Sequence, residues 1–251
     1  MILSYSQIQL YMRCPKQYFY AYVEKIPQPL HKSLSFGISI HAALYAFFSA
    51  YKNAKEIPLQ GRLFEEKVSK PDLAYLLHCL DKAWVSNGYD SSMQMYEKKH
   101  YAIALLTEFY EKEVGDSNIL FLEKSFVLQA GNHSIKGRFD RVDCLGTDTL
   151  EIIDYKTGKL RTLEDCKDDL QLMLYANALS QMYPQKNIKL TLHFLEHRNR
   201  IPVSFDVASL RKAEETVSSI GNFIEEGIFD AKPEARTCSY CSYSKLCPKA
   251  L

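Results

Sequence analysis

The sequence predicts an α/β protein with a mixed β-sheet flanked by helices. Three observations carry this reading. The chain before Asn118 is helix-rich. After it, the order strand, strand, strand, helix, strand appears. The chain also has 251 residues, 47% hydrophobic and 24% charged, which is ordinary globular usage and enough to bury a core. Disorder, a collagen-like fibre and a small disulfide scaffold are excluded.

Ser4-x-x-Gln7 has capping-box spacing ahead of Ile8, Leu10, Tyr11 and Met12, so a helix starts near Ser4, and Pro15 either ends it or starts a new turn. Residues 17–23 are dense in Tyr and Phe. A second helix is expected over 36–52, with Ile40, Leu44, Phe47 and Phe48 on one face. From Leu63 to Val114 the pattern stays helical, broken at Asn87-Gly88, which predicts a helical insertion over about 60–116 in a single domain of residues 1–251. Strands are expected over 119–128, 134–144 and 150–156, separated by Gly131-Asn132 and Gly146-Thr147. A helix over 163–182, strands over 188–196 and 201–205, a helix over 206–227 and a cysteine-rich tail complete the chain.

Lys plus Arg number 31 and Asp plus Glu 30, a net charge of +1. That excludes a strongly basic nucleic-acid coat, so any phosphate contact comes from a local patch. The N-terminus has no charged segment followed by an apolar one, and residues 38–50, interrupted by His41 and Ser49, are too short to span a bilayer. The expectation is a soluble, cytoplasmic protein without a membrane partner. In that reducing compartment the seven cysteines matter by position rather than by pairing.

Chemistry concentrates in Ile135-Lys136-Gly137-Arg138-Phe139-Asp140-Arg141-Val142-Asp143 and in Leu150-Glu151-Ile152-Ile153-Asp154-Tyr155-Lys156. Residues two apart on a strand share a face, so Asp154 and Lys156 project together. Such a carboxylate holds a hard divalent cation, while the lysine orients or helps deprotonate an attacking water. Asp140, 14 positions upstream on the neighbouring strand, supplies a second carboxylate. Taken alone, Asp-x-Lys is a surface ion pair ending an edge strand; the second aspartate raises the functional reading.

These residues resemble the PD-(D/E)xK nuclease superfamily, and its RecB-like branch in particular. Gly37-Ile38-Ser39-Ile40-His41 matches a G-x-x-x-H motif, Gly137-Arg138-Phe139-Asp140 a G-x-x-D segment, and Gln171-Leu172-Met173-Leu174-Tyr175 a Q-x-x-x-Y motif. The resemblance implies a restriction-endonuclease-like core. It further implies Mg²⁺ or Mn²⁺ held by His41, Asp140, Asp154 and the Tyr155 carbonyl. Lys156 would position the nucleophilic water, and Gln171 and Tyr175 would hold the scissile strand or the carboxylates. Glu123 is a weaker candidate for an outer metal or water contact.

Cys238-x-x-Cys241-x5-Cys247 and the distant Cys14 provide four thiolates, enough for zinc or an iron–sulfur cluster, and spacing does not choose. The resemblance to nucleases of the AddB type and to the CRISPR-associated adaptation nuclease implies a [4Fe–4S] cluster at those four cysteines. Cys14 and Cys238 lie 224 residues apart, and closing so long a loop costs on the order of 5 kcal/mol in the unfolded chain. The expected role is therefore structural. Cys79, Cys144 and Cys166 lack partner spacing and are expected to be packing or surface thiols.

The substrate implied is DNA, as single strands or duplex ends, with helicase or CRISPR integrase proteins as partners. Lys156, Lys159, Arg161 and the His197-Arg198-Asn199-Arg200 loop, with Tyr18, Phe19, Tyr20 and Tyr22, form a candidate groove lining; the alternative is a solvated hairpin loop and, as the better reading for the aromatics, a buried aromatic cluster. The rival expectation is an inert iron–sulfur protein that docks DNA or a partner within a nuclease complex.

Overall fold

Alternating apolar and polar residues draw the chain into one long hairpin, against which the rest of the sheet is laid. The computed structural model describes residues 1–56, 70–167 and 169–251. β2 (Ile119–Ala130) pairs antiparallel with β3 (His133–Leu145) through Gly131, whose φ of +60° suits glycine. The other edge of β3 is shared. β1 (Ile2–Ser4) runs parallel to residues 134–136, and β4 (Thr149–Lys156) antiparallel to residues 141–145. β5 (Asn187–Phe194) is parallel to β4, and β6 (Asn199–Val203) is antiparallel to β5. The sheet is therefore mixed, with six strands.

α1 (Tyr5–Arg13) starts where β1 ends. The Gln7 N–H donates to Ser4 Oγ while the Ser4 N–H donates to Gln7 Oε1, a closed capping box. α2 (Pro15–Tyr18) leads into a π-helical turn over Phe19–Val23. α3 (Lys32–Glu56) is longer than the 36–52 expected, and α4 (Leu73–Ala83) and α5 (Ser92–Glu113) follow it. The part of the expected insertion at 60–69, with the start of its helical pattern at Leu63, lies outside the described residues. The parallel β4–β5 pair is joined by α6 (Leu163–Cys166) and α7 (Leu170–Met182), not by one helix over 163–182. Asp169 explains the break: its side chain accepts from the Leu172 N–H as the α7 N-cap and pairs with Arg161 Nη1 at 2.5 Å. α8 (Val207–Glu225) and α9 (Ala235–Ser239) end the fold.

The alternation of β4 divides the interior. Leu150 and Ile152 join Phe139, Val142, Leu190 and Leu192 under α1, α7 and α8, where Ile8, Leu172, Leu179 and Val217 are buried. Ile153 and Tyr155 join a second core with Ile40, Phe47 and Phe48 of α3, Leu76 and Leu80 of α4, and Leu106 and Phe109 of α5. By length and composition alone, residues 32–55 of α3 would cross a membrane, a longer apolar run than the sequence reading allowed. That apolarity is accounted for by the second core, which α3 shares with α4 and α5.

Candidate active site

The site opens where the ladder of β3 changes partner. β3 pairs with β1 up to Lys136 and with β4 only from Arg141, so residues 137–140 have no strand partner on that edge. This interval is the Gly-Arg-Phe-Asp segment. The Tyr155 N–H reaches across it and donates to Asp140 Oδ2 at 3.0 Å, fixing that carboxylate beside the end of β4.

α3 brings the imidazole. Gly37 lets the helix approach closely, since a Cβ there would lie 3.3 Å from Thr157 Oγ1. One turn later His41 places Nδ1 3.4 Å from Asp140 Oδ2. Glu123 completes the group: ligand atoms of His41, Glu123 and Asp140 all lie within 4.8 Å of one another. It is the one such grouping of metal-ligating side chains among the described residues. An imidazole with two carboxylates is a donor set for a hard or borderline divalent cation. Burial lowers the basicity of His41, but its hydrogen bond to Asp140 and the charges of Asp140, Asp154 and Glu123 outweigh this and raise its pKa overall. Burial, then the Asp140 charge, push Glu123 up against the opposing pull of Arg138 and His41. A crowded negative site is what a cation would relieve.

Asp154 sits behind this group, 2% exposed. Burial pushes its pKa up to about 6; Asp140 adds to the rise, while Lys156 and His41 oppose it. Lys156 Nζ lies 2.6 Å from Asp154 Oδ2 and donates to Gln171 Oε1 at 2.8 Å. Gln171 Nε2 in turn donates to Tyr175 Oη at 2.8 Å. Burial disfavours the charge of Lys156, but Asp154, Asp169 and Asp140 overcome it and hold the ammonium protonated. Gln171 and Tyr175 thus orient the lysine, a role that neither spacing nor resemblance had assigned to them.

Two cavities meet at the site. One, of about 850 Å³, is lined by Tyr5, Ser6, Lys136, Arg138, Gln171 and Tyr175 among others. The second, of about 680 Å³, includes Leu34, Ile38, His41, Tyr45, Glu123 and Arg138. Tyr5, Lys136, Arg138 and Tyr45 were not singled out from the sequence. For Arg138 the signal was available, because it precedes Asp140 by two on a strand.

Of the candidate groove lining, Lys156 stands at the site, and the aromatics form the packed cluster that was the better reading for them. Tyr18 and Phe19 pack on Phe229, and Tyr20 packs on Tyr243. Arg161 pairs with Asp169, Arg198 with Glu108, and Arg200 with Glu151. These cations are taken by carboxylates, and the aromatics build the junction of the chain's two ends. At that junction Cys14, Cys238, Cys241 and Cys247 line one cavity together with Lys16, Lys232 and Lys249. All four are free thiols. The Lys232 N–H points to Cys14 Sγ and the Tyr243 N–H to Cys241 Sγ, each at 3.4 Å. Cys79 and Cys166 are buried and Cys144 partly so, as packing thiols are.

Comparison with known proteins is consistent with this geometry. A family model described as the PD-(D/E)XK nuclease superfamily matches residues 2–248. The Gene 69 protein of Mycobacterium phage L5 is 22% identical, covering 98% of this chain and 95% of the relative. Its counterpart in Mycobacterium phage D29 is 24% identical, covering 98% and 96%. A segment amounting to 43% of this chain is 32% identical to part of an ATP-dependent helicase/deoxyribonuclease component from Lactococcus lactis subsp. cremoris (strain SK11), but covers only 10% of that relative.

Proposed function

The chain belongs to the PD-(D/E)XK nuclease superfamily, and from that premise we propose that it is a Mg²⁺- or Mn²⁺-dependent deoxyribonuclease acting on single strands or duplex ends. One observation carries this reading. The His41, Glu123 and Asp140 ligand group and the buried Asp154–Lys156 pair are assembled at the junction of two cavities.

His41, Asp140, Asp154 and Glu123 would hold the cation. When bound, it would offset charge on the phosphate and lower the pKa of a coordinated water. The chain's own residues supply the rest. Lys156, kept protonated by Asp154, donates to the attacking water or to a phosphate oxygen, so its part is orientation and charge rather than proton abstraction. Gln171 holds the ammonium in place, and Tyr175 holds Gln171. The Tyr155 N–H fixes the Asp140 carboxylate.

We also propose that Cys14, Cys238, Cys241 and Cys247 hold a [4Fe–4S] cluster. A single tetrahedral zinc with bonds of about 2.3 Å would draw its sulfurs to about 3.8 Å apart. The four cysteines fall outside the close ligand grouping found among the described residues and show neither a zinc nor a cluster arrangement, so the proposal rests on their sharing one cavity where the chain's two ends meet. Three lysines around the cavity suit the negative charge of a thiolate-bound cluster. A cluster there pins both ends of the chain. Partnership with a helicase or a CRISPR integrase belongs to the same reading, with the Lactococcus relative as support for the helicase.

The test is cleavage of labelled single-stranded DNA by anaerobically purified protein, with Mn²⁺, with Mg²⁺ and with EDTA. Degradation only with metal is expected, abolished in Asp154→Ala while folding and DNA binding persist. Cleavage in EDTA, or activity surviving in Asp154→Ala, would overturn the site. A folded wild type that binds DNA but never cuts it would favour the docking reading.

A further inference from the structure

β2 and β3 bring two carboxylates face to face. Leu122 lies opposite Arg141 and Lys124 opposite Phe139, which places Glu123 opposite Asp140. Like charges directly across an antiparallel pair repel. Glu123 also has a φ of +47°, in the left-handed region a glutamate enters only with strain. The repulsion destabilises the strand pair unless a cation stands beside the carboxylates, and the strained backbone holds only because the surrounding contacts fix Glu123.

Arg138 supplies that cation. Its Nε lies 2.5 Å from Glu123 Oε2. The two partners differ in setting, because the Arg138 side chain is 64% exposed and that of Glu123 only 16%. Glu123 is held at the ligand group, whereas Arg138 approaches it from solvent. Arg138 is also the one described residue that lines both cavities. Lys156, the other cation beside the carboxylates, is already engaged by Asp154 and Gln171.

We propose that Arg138 serves two anions in turn: Glu123 before a divalent cation binds, and a backbone phosphate of the nucleic acid once the cation has taken Glu123. The inference rests on the nuclease reading. A guanidinium presents planar, paired donors that match phosphate oxygens. Released from Glu123 at the junction of the cavities, it stands where a strand running from one to the other must place its backbone. No covalent bond changes; one ion pair is exchanged for another. The exchange makes metal and nucleic acid cooperative, each raising the affinity of the other by the same factor.

The test uses the full-length protein and two binding measurements. Calorimetric titration with Mn²⁺ alone compares wild type, Arg138→Gln and Arg138→Lys. Anisotropy of a labelled oligothymidylate is then read in EDTA and in Ca²⁺ across a salt series. Removing the competing guanidinium is expected to tighten Mn²⁺ binding by about two- to fivefold in Arg138→Gln, as an exposed ion pair allows. The same variant should lose the gain in oligonucleotide affinity that Ca²⁺ gives the wild type, and its salt slope should fall by about 1. Arg138→Lys should recover part of that gain. A purely supporting role for Arg138 predicts the opposite for metal, since a displaced Glu123 would bind it more weakly. Equal or weaker Mn²⁺ binding in Arg138→Gln, or an undiminished Ca²⁺ gain, overturns the proposal while leaving a wild type that binds and cuts DNA as a nuclease. A wild type that takes Mn²⁺ yet neither binds nor cuts DNA overturns both readings.

Discussion

Gly137→Ala is the substitution whose effect follows most directly from the structure. Gly137 lies across from Phe126 in the β2–β3 ladder, and the ring covers the glycine. A Cβ at 137 would meet Phe126 Cζ at 2.3 Å and Cε1 at 2.7 Å, about 1 Å short of ordinary contact. The ring has little freedom to retreat. Its centroid is 4.7 Å from that of Phe139 and 5.6 Å from that of Tyr175, which meets it edge-on. Overpacking of this kind costs about 1–3 kcal/mol. In a chain of this size about 2 kcal/mol lowers Tm by roughly 4–8 °C. The strain also travels toward the chemistry, because Tyr175 holds Gln171 and Gln171 holds Lys156. The ring's other escape is into the cavity it lines with Gly137, which obstructs the groove. Cleavage by Gly137→Ala, assayed well below its Tm, should therefore fall even though no ligand has changed. Phe126→Leu, which frees space, should make the double variant less unstable than the two single effects summed. A Gly137→Ala protein with wild-type Tm and wild-type cleavage would refute the argument.

Three further outcomes follow from the site. Burial raises the folded pKa of Asp154 to about 6, above the roughly 3.9 of an unfolded aspartate, so in EDTA its contribution favours folding at low pH and is lost as pH rises through that window. Urea midpoints of wild type relative to Asp154→Asn should fall between about pH 4 and 6, and a flat difference would remove the burial account. His41 supplies an imidazole donor, so calorimetry should show Mn²⁺ binding more tightly than Mg²⁺, with the preference shrinking in His41→Ala; an unchanged preference would take His41 out of the ligand set. Cys241→Ser should lose visible absorbance and bound iron and become less soluble. A well-folded, iron-free Cys241→Ser protein of wild-type stability would defeat the structural role given to the cysteines.

Elements with a strong period were legible. The hairpin of β2 and β3, the buried strand β4 and the amphipathic α8 each carry enough alternation or helical periodicity to be placed within a few residues. β1 was not, because three residues carry no period and the strand exists only through its pairing with residues 134–136. The α6–α7 break was hidden for a related reason: the capping signal at Asp169 sits inside an otherwise helical pattern, and its Arg161 partner is a tertiary contact. At the site, motif order nominated His41, Asp140, Asp154, Lys156, Gln171 and Tyr175, and the structure brings these side chains to one place. Glu123 was weighed lightly because one glutamate on a strand looks like any solvated residue. Its φ and its position opposite Asp140 are properties of the folded sheet.

The location of the site explains why its imidazole comes from a helix and its aspartates from strands. His41 belongs to α3, whose apolar face is set in the second core with α4 and α5, while Asp140 and Asp154 stand on the sheet. The distance between imidazole and carboxylate therefore reports how α3 is seated on the sheet. That seating is fixed by buried contacts beside the ligands. Arg141, next to Asp140, pairs with Asp143 at 2.7 Å, reaches Tyr155 Oη at 3.3 Å and lies 4.2 Å from the Phe48 ring of α3. A buried guanidinium in contact with two strands and a helix is costly unless all its partners stay in place. Loosening α3 would take the Phe48 ring from that charge and expose it, so the fold resists the movement that would also take His41 away from Asp140. Catalytic geometry and stability are in this way tied to the same helix–sheet interface.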